Sequence, residues 1–260
     1  MTITAPETTQ ERFSARLKES TKHVHDNAEH STFMEDLMGG SLNTEAYLRL
    51  INQYVHIYEA LEAVSEHYRA EPSPITEPFT HPGLDRAEYI RADIRALGQD
   101  GDIDAPLPAT AEYVERIRAT INSPERYLAH HYLRYLGDLS GGQAVAALVN
   151  RHYGIPAEAL SMYRFTELPK PKVFKDGYRE LLDNAPLTDE QRKPSSKSAS
   201  KASASTPPCS RSWAARSPRH KPRTRINRTP QRTTSHRSMH KPAGITKGAD
   251  AFTSIRPFRR

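Results

Sequence analysis

Between residues 47 and 68 apolar side chains return every third or fourth position: Tyr47, Leu50, Ile51, Tyr54, Ile57, Leu61, Val64 and Tyr68. An α-helix turns once every 3.6 residues, so this stretch presents one continuous apolar face that must be buried against other helices. A weaker repeat through Phe13, Leu17, Val24 and Ala28 predicts a helix before it. Gly39-Gly40 interrupts the pattern, and Asn43 is the expected cap of the stronger helix, with Glu45 in its first turn. Pro72, Pro74, Pro78 and Pro82 mark a loop. Helical spacing resumes over Leu84–Leu97, which stops at Gly98, then over Ala109–Ile121 and Lys172–Asn184. Between the last two, Ser123-Pro124 reads as a capping serine with proline at the first helical position, opening a long helix that ends near Tyr153-Gly154. No comparable stretch alternates with period two, so the expected fold is an all-α, single-domain bundle.

Charge divides the chain unevenly. Residues 194–260 hold 16 Lys and Arg against one acid, Asp250, whereas residues 1–193 hold 21 bases and 30 acids, giving net charges of about +15 and −9. The overall +6 therefore describes the tail, and the piece expected to fold is acidic. The tail also carries 8 Pro and 19 Ser and Thr with few large aliphatic residues, a composition that cannot offset the entropy of ordering. The expected organisation is a flexible N-terminus over 1–10, a folded domain over 11–193 and a disordered basic tail over 194–260. Met1–Gln10 lacks the basic flank and apolar core of a signal peptide, and no apolar run reaches the ~18 residues of a membrane span, so a soluble cytoplasmic protein is expected. Cys209, the single cysteine, lies in the tail, which excludes an intramolecular disulfide and any cysteine-ligated zinc or iron cluster.

Two clusters carry chemistry. In Leu136-Gly137-Asp138-Leu139-Ser140-Gly141-Gly142-Gln143 three glycines fall within six positions of a helical segment, each costing ~1 kcal/mol relative to alanine. Either the helix kinks or crosses another closely there, or its bare backbone lies against a large flat ligand with Asp138 placed over it. A carboxylate among apolar residues and glycines is expensive to bury unless it is hydrogen-bonded or used. On the first helix Lys18, His25 and Glu29 are spaced by seven and four and share a face. A neutral imidazole could bind iron while a carboxylate one turn away orients its other nitrogen, with Lys18 meeting an anionic group of the same ligand; the same spacing also describes an ordinary surface pair.

Thr21-Lys22-His23-Val24-His25-Asp26-Asn27-Ala28-Glu29 resembles the proximal helix of the haem oxygenases, and Tyr132-Leu133-Arg134-Tyr135-Leu136-Gly137-Asp138-Leu139-Ser140-Gly141-Gly142-Gln143 is similar to their distal signature almost letter for letter. The similarity runs from about Phe13 to about Arg192 and points to the bacterial, biliverdin-producing members. It implies that His25 is the iron ligand and Glu29 its partner. Tyr58, Tyr113, Arg134 and Asp138 would belong to the distal water network, Gly137 and Gly141 would lie against the ring, and Lys18, Tyr132, Lys175 and Arg179 would hold the propionates. Without the family, Tyr58 and Tyr113 would be ordinary packing residues and Lys175 and Arg179 a solvated helix face.

The resemblance further implies that haem b is both cofactor and substrate, with no other metal, and that O2 and external electrons convert it to biliverdin, carbon monoxide and ferrous iron. Asp138 would hold the water that relays protons to bound oxygen, and the propionate clamps would select the meso carbon attacked. The chain has no nucleotide-binding turn or cysteine cluster, so a reductase or ferredoxin must supply electrons. One departure matters. Thr188-Asp189-Glu190-Gln191 is a capping box announcing a helix that Pro194 and a Ser/Lys/Ala run cut short, where the family continues with a long helix closing the distal pocket. The change looks like a shifted reading frame. A haem-binding protein without turnover is therefore the alternative, while the basic tail, with three aromatics and no recognised motif, is not expected to bind nucleic acid.

Overall fold

The computed structural model describes residues 12–192; the expectations for residues 1–10 and 194–260 fall outside them. Eight α-helices are present among the described residues: α1 (Phe13–Glu29), α2 (Thr32–Met38), α3 (Thr44–Ala70), α4 (Ala87–Ala96), α5 (Pro108–Arg118), α6 (Pro124–His131), α7 (Gln143–Tyr153) and α8 (Pro171–Asn184). No strand occurs among the described residues, and the all-α expectation holds.

The strongest sequence repeat becomes the centre of the fold. Tyr47, Leu50, Ile51, Val55, Ile57, Tyr58 and Leu61 of α3 are essentially inaccessible, and α4, α5 and α6 pack on its faces. At its start the Asn43 carboxamide accepts from the Ala46 N–H at 2.9 Å, the cap expected from sequence. Helix α4 ends at Ala96, and the connection beyond runs through Gly98 at φ +90°. Helix α2 has no periodic signature because it is only seven residues long; Ser31 caps it, and Phe33 and Leu37 anchor it in the core.

Two expectations change in detail. Ser123 makes no side-chain cap bond; its backbone carbonyl instead accepts from Arg126 and Tyr127 N–H, both at 3.0 Å, and Pro124 supplies the preset φ of the first turn. Helix α5 stops at Arg118 rather than Ile121, because the Thr120 hydroxyl donates to the Ile117 carbonyl at 2.6 Å and turns the chain, leaving Ile121 exposed.

Charged side chains inside the bundle join the loops to it. Asp93 accepts from the Ser161 N–H at 2.8 Å and the Met162 N–H at 2.9 Å, tying α4 to the short turn Ser161–Tyr163. Arg86 is fully buried, donates to the carbonyls of Gly83, Leu84 and Arg164, and lies 4.3 Å and 4.2 Å from the ring centres of Tyr89 and Phe165. A buried guanidinium survives because its donors are used and aromatic faces stabilise its charge.

Candidate functional site

From Pro124 to Tyr153 the backbone stays helical, but Tyr132–Leu136 and Asp138–Gly142 are wound as π-helix, between α6 and α7. Wide turns of this kind are rare overall and frequent at functional sites. The three glycines have different surroundings. A Cβ added at Gly142 would stand 2.9 Å from Tyr163 Cδ1, so Gly142 is a close crossing. A Cβ at Gly137 or Gly141 would meet nothing within 4 Å, so these two border open space. Gly154, at φ +67°, ends α7 in the left-handed conformation that a Cβ would disfavour.

Beside this open space stands a polar cluster. The Tyr58 hydroxyl donates to Asp138 Oδ2, and Arg134 Nη2 donates to the Tyr58 hydroxyl at 3.3 Å. The Arg134 guanidinium also lies over the rings of Tyr54 and Tyr58, at 4.8 Å and 5.1 Å from their centres. Burial raises the Asp138 carboxyl above the usual carboxylate range, while Arg134, the Tyr58 hydroxyl and Arg86 pull it back. Burial likewise drives the Tyr58 hydroxyl well above its ordinary value, so it remains a donor. Burial opposes the Arg134 charge, but Tyr58, Asp138, Tyr54 and Tyr113 keep it firmly protonated. Arg134 Nε is buried without a partner. Tyr113, also buried, touches this cluster through its field rather than by a bond; its hydroxyl is 3.4 Å from His130 Nδ1.

Of the residues expected to hold the ligand's edge, Lys175 and Arg179 sit on α8. Lys175 Nζ donates to Ser140 Oγ at 3.0 Å, and Arg179 pairs with Asp176 at 3.2 Å. Tyr132 is buried, its ring 6.4 Å from that of Tyr178. Lys18 is exposed on α1. His25 and Glu29 belong to the backbone of α1, and their side chains lie outside the described residues. Helix α8 packs against both α1 and the Asp138–Gly142 segment, so the His25 helix and the bare glycine backbone share a neighbour.

Sequence reasoning missed the buried histidines. His131 lies wholly inside, with Nδ1 2.7 Å from the Tyr178 hydroxyl, and burial pushes its pKa down to about 3; His130 falls to about 4 for the same reason. The doubled His130-His131 at the end of α6 was the available signal, but neither residue interrupts the apolar spacing. No group of three or more His, Cys, Asp or Glu among the described residues could hold a metal ion by itself.

Fold and site define an all-α protein with a glycine-bare helical wall, an acid held by tyrosine and arginine beside it, and a neighbouring helix carrying cationic side chains. The sequence profile described as Heme oxygenase matches residues 11–205. The chain is 34% identical over 178 residues to the heme oxygenase of Rhodella violacea, covering 67% of this chain and 75% of that protein. It is 31% identical over 179 residues to that of Guillardia theta, with the same coverage. Among solved structures it is similar to heme oxygenase-1 of the cyanobacterium Synechocystis in complex with heme, at TM-score 0.69 and 26% identity, covering 75% of this chain and 89% of the other. It is also similar to the heme oxygenase of Leptospira interrogans, at TM-score 0.69 and 29% identity, covering 75% and 96%. The chain belongs to the heme oxygenase family.

Proposed function

We propose that this chain opens haem b to biliverdin, carbon monoxide and ferrous iron, using O2 and electrons from a reductase or ferredoxin. The observation that carries the reading is the Tyr58–Arg134–Asp138 cluster beside the open space at Gly137 and Gly141. Bare helical backbone facing open space suits a planar macrocycle. Haem supplies oxygen activation, and its own meso carbon is the target.

The protein's part is to seat, orient and protonate. The His25 imidazole would hold the haem iron, and Glu29 would orient it. Lys18, Tyr132, Lys175 and Arg179 hold the propionates; Lys175 and Arg179 would exchange their present bonds to Ser140 and Asp176 for that charge. Asp138, fixed by Tyr58 and indirectly by Arg134, holds a water that passes protons to the oxygen, with Tyr113 completing the network. Gly137 and Gly141 would lay bare backbone against the macrocycle and crowd its oxygen side. No other metal takes part. The working unit is the domain over 11–193, in the cytoplasm, with the basic tail outside the chemistry. No described helix is long and apolar enough to cross a membrane.

A haem-binding protein that does not turn over is the second reading. Its support is the capping box at Thr188, which forms and closes a single turn. The Gln191 N–H donates to Thr188 Oγ1 at 3.3 Å, the Thr188 N–H donates to Gln191 Oε1 at 3.0 Å, and three residues beyond Gln191 comes Pro194. Mixing the purified chain with hemin and a reducing system separates the two. A Soret band that gives way to biliverdin absorption is the expected outcome; a Soret band stable to electrons and O2 supports binding alone, and no Soret band overturns both.

A further inference from the structure

We propose that the buried His131–Tyr178 hydrogen bond is the positioning element that fixes the rotation of the bound macrocycle, and so the carbon presented for attack. The inference rests on the proposed function and concerns two residues outside the expected site.

Two helices must be held in register for such a reaction to be selective. One carries Asp138, and the other, α8, carries Lys175 and Arg179. Much of what packs α8 is apolar: Tyr178 meets Phe79 edge-on at 4.9 Å between ring centres, and Leu182 is fully buried. Apolar contact is non-directional and tolerates rotation of a helix about its axis. The bond between His131 Nδ1 and the Tyr178 hydroxyl, 2.7 Å long between rings only 6° from parallel, is directional and shielded from water. It also sits at the right place. Tyr178 follows Lys175 by three residues and directly precedes Arg179, while His131 precedes Arg134 by three and Asp138 by seven in the same continuous helix.

The other side-chain bond described between these helices, Lys175 to Ser140, is exposed and uses a group assigned to a propionate. When that lysine turns to the ligand, the internal bond remains as the polar link between clamps and acid. His131 is further wedged by Tyr135, 4.4 Å away, and Tyr127, 5.2 Å away, so its ring cannot turn freely. Burial keeps the imidazole neutral, and the link therefore does not switch across the working pH range.

Tyr178→Phe keeps the ring and removes only the hydroxyl; His131→Asn keeps a polar group near the position of Nδ1. Both are compared with the parent in the full chain loaded with hemin. Seating is read from the haem methyl resonances of the cyanide complex, and regiochemistry from the biliverdin isomer ratio. Loss of one neutral hydrogen bond corresponds to a change of about fivefold in the ratio of two seatings. The expected result is a second set of methyl resonances in Tyr178→Phe with a matching new isomer, and a smaller change in His131→Asn. Unchanged methyl resonances in Tyr178→Phe overturn the proposal, and so does a lowered melting temperature with unchanged seating, which would mark the bond as purely structural. If Tyr178→Phe does not fold, His131→Asn decides by the same readout. If the parent binds haem and yields no biliverdin, the proposed function fails while the resonances still test the bond.

Discussion

Asp138 is a half-buried acid that the fold leaves partly protonation-prone and then restrains with Tyr58 and Arg134. That balance predicts distinct outcomes for two substitutions. Asp138→Ala removes the proposed water holder but no group proposed to ligate iron. Haem should stay bound, with biliverdin formation falling by about 10²-fold or more and peroxidase-type products rising. Unchanged biliverdin yield in single turnover would remove Asp138 from the mechanism. Tyr58→Phe deletes the hydrogen bond that pulls the carboxyl pKa down, so the acid limb of the rate profile should move to higher pH; a pH series on single-turnover rates checks the direction. At this scale the sequence was readable where a residue breaks a local rule. An acid among glycines demands a partner, and Tyr58 supplies it from 80 residues away. His130 and His131 broke no rule, since a buried imidazole satisfied by a tyrosine looks like any polar residue within a helix, and only packing shows its partner.

At the scale of elements, the glycines separate folding from function. Gly137 and Gly141 sit in helical backbone facing open space, so alanine at either should stabilise the ligand-free protein by up to about 1 kcal/mol through helix propensity. The added methyl would project into the proposed slot and should weaken haem binding or slow turnover, the trade expected where stability was given up for function. Thermal melts without haem and Soret titrations of the same variants measure the two sides; a loss of apo stability together with unaltered haem binding would contradict the assignment. Gly142→Ala should behave oppositely, because its methyl would stand 2.9 Å from the Tyr163 ring, and overpacking of this kind costs about 1–3 kcal/mol. The glycine cluster was legible as a whole, but its division into a crossing glycine and two glycines facing open space was not, since that depends on where Tyr163 arrives from another part of the chain. Helix α3 shows the reverse case: the repeat from Tyr47 to Tyr68 made its existence and its main apolar face readable in advance, though Asn52, Gln53, Val55 and Ser65 are buried as well.

For the molecule as a whole, buried titratable groups set opposing slopes of stability with pH. His130 and His131 have folded pKa values of about 4 and 3, below the ordinary imidazole value, because burial penalises their charge; His131 faces Arg69 through its field, and His130 faces Arg126 and Arg116. The unfolded chain therefore binds more protons at these sites, and stability rises with pH up to the unfolded value near ~6.5. Glu62 acts in the other direction. Buried beneath the start of α4, where it accepts from the Ala87 N–H at 2.8 Å, it is pushed up to about 7, so the folded chain holds its proton more tightly and stability falls as pH rises from ~4.5 to 7. Among these three groups the two histidines outweigh the one glutamate between pH 5 and 6 by about one proton's worth, ~1.4 kcal/mol per pH unit. Asp85, Asp93 and Asp138, also raised by burial, act in the same direction as Glu62. Glu62→Gln keeps an oxygen to accept from Ala87 and removes the titration, so the slope should become steeper. Urea unfolding at pH 5, 5.5 and 6 measures it, and equal slopes in the parent and Glu62→Gln would show that the glutamate is already ionised inside the fold. None of this could be foreseen from the net charge of residues 1–193, because surface acids set that sum while imidazoles and carboxyls taken into the bundle set the slope.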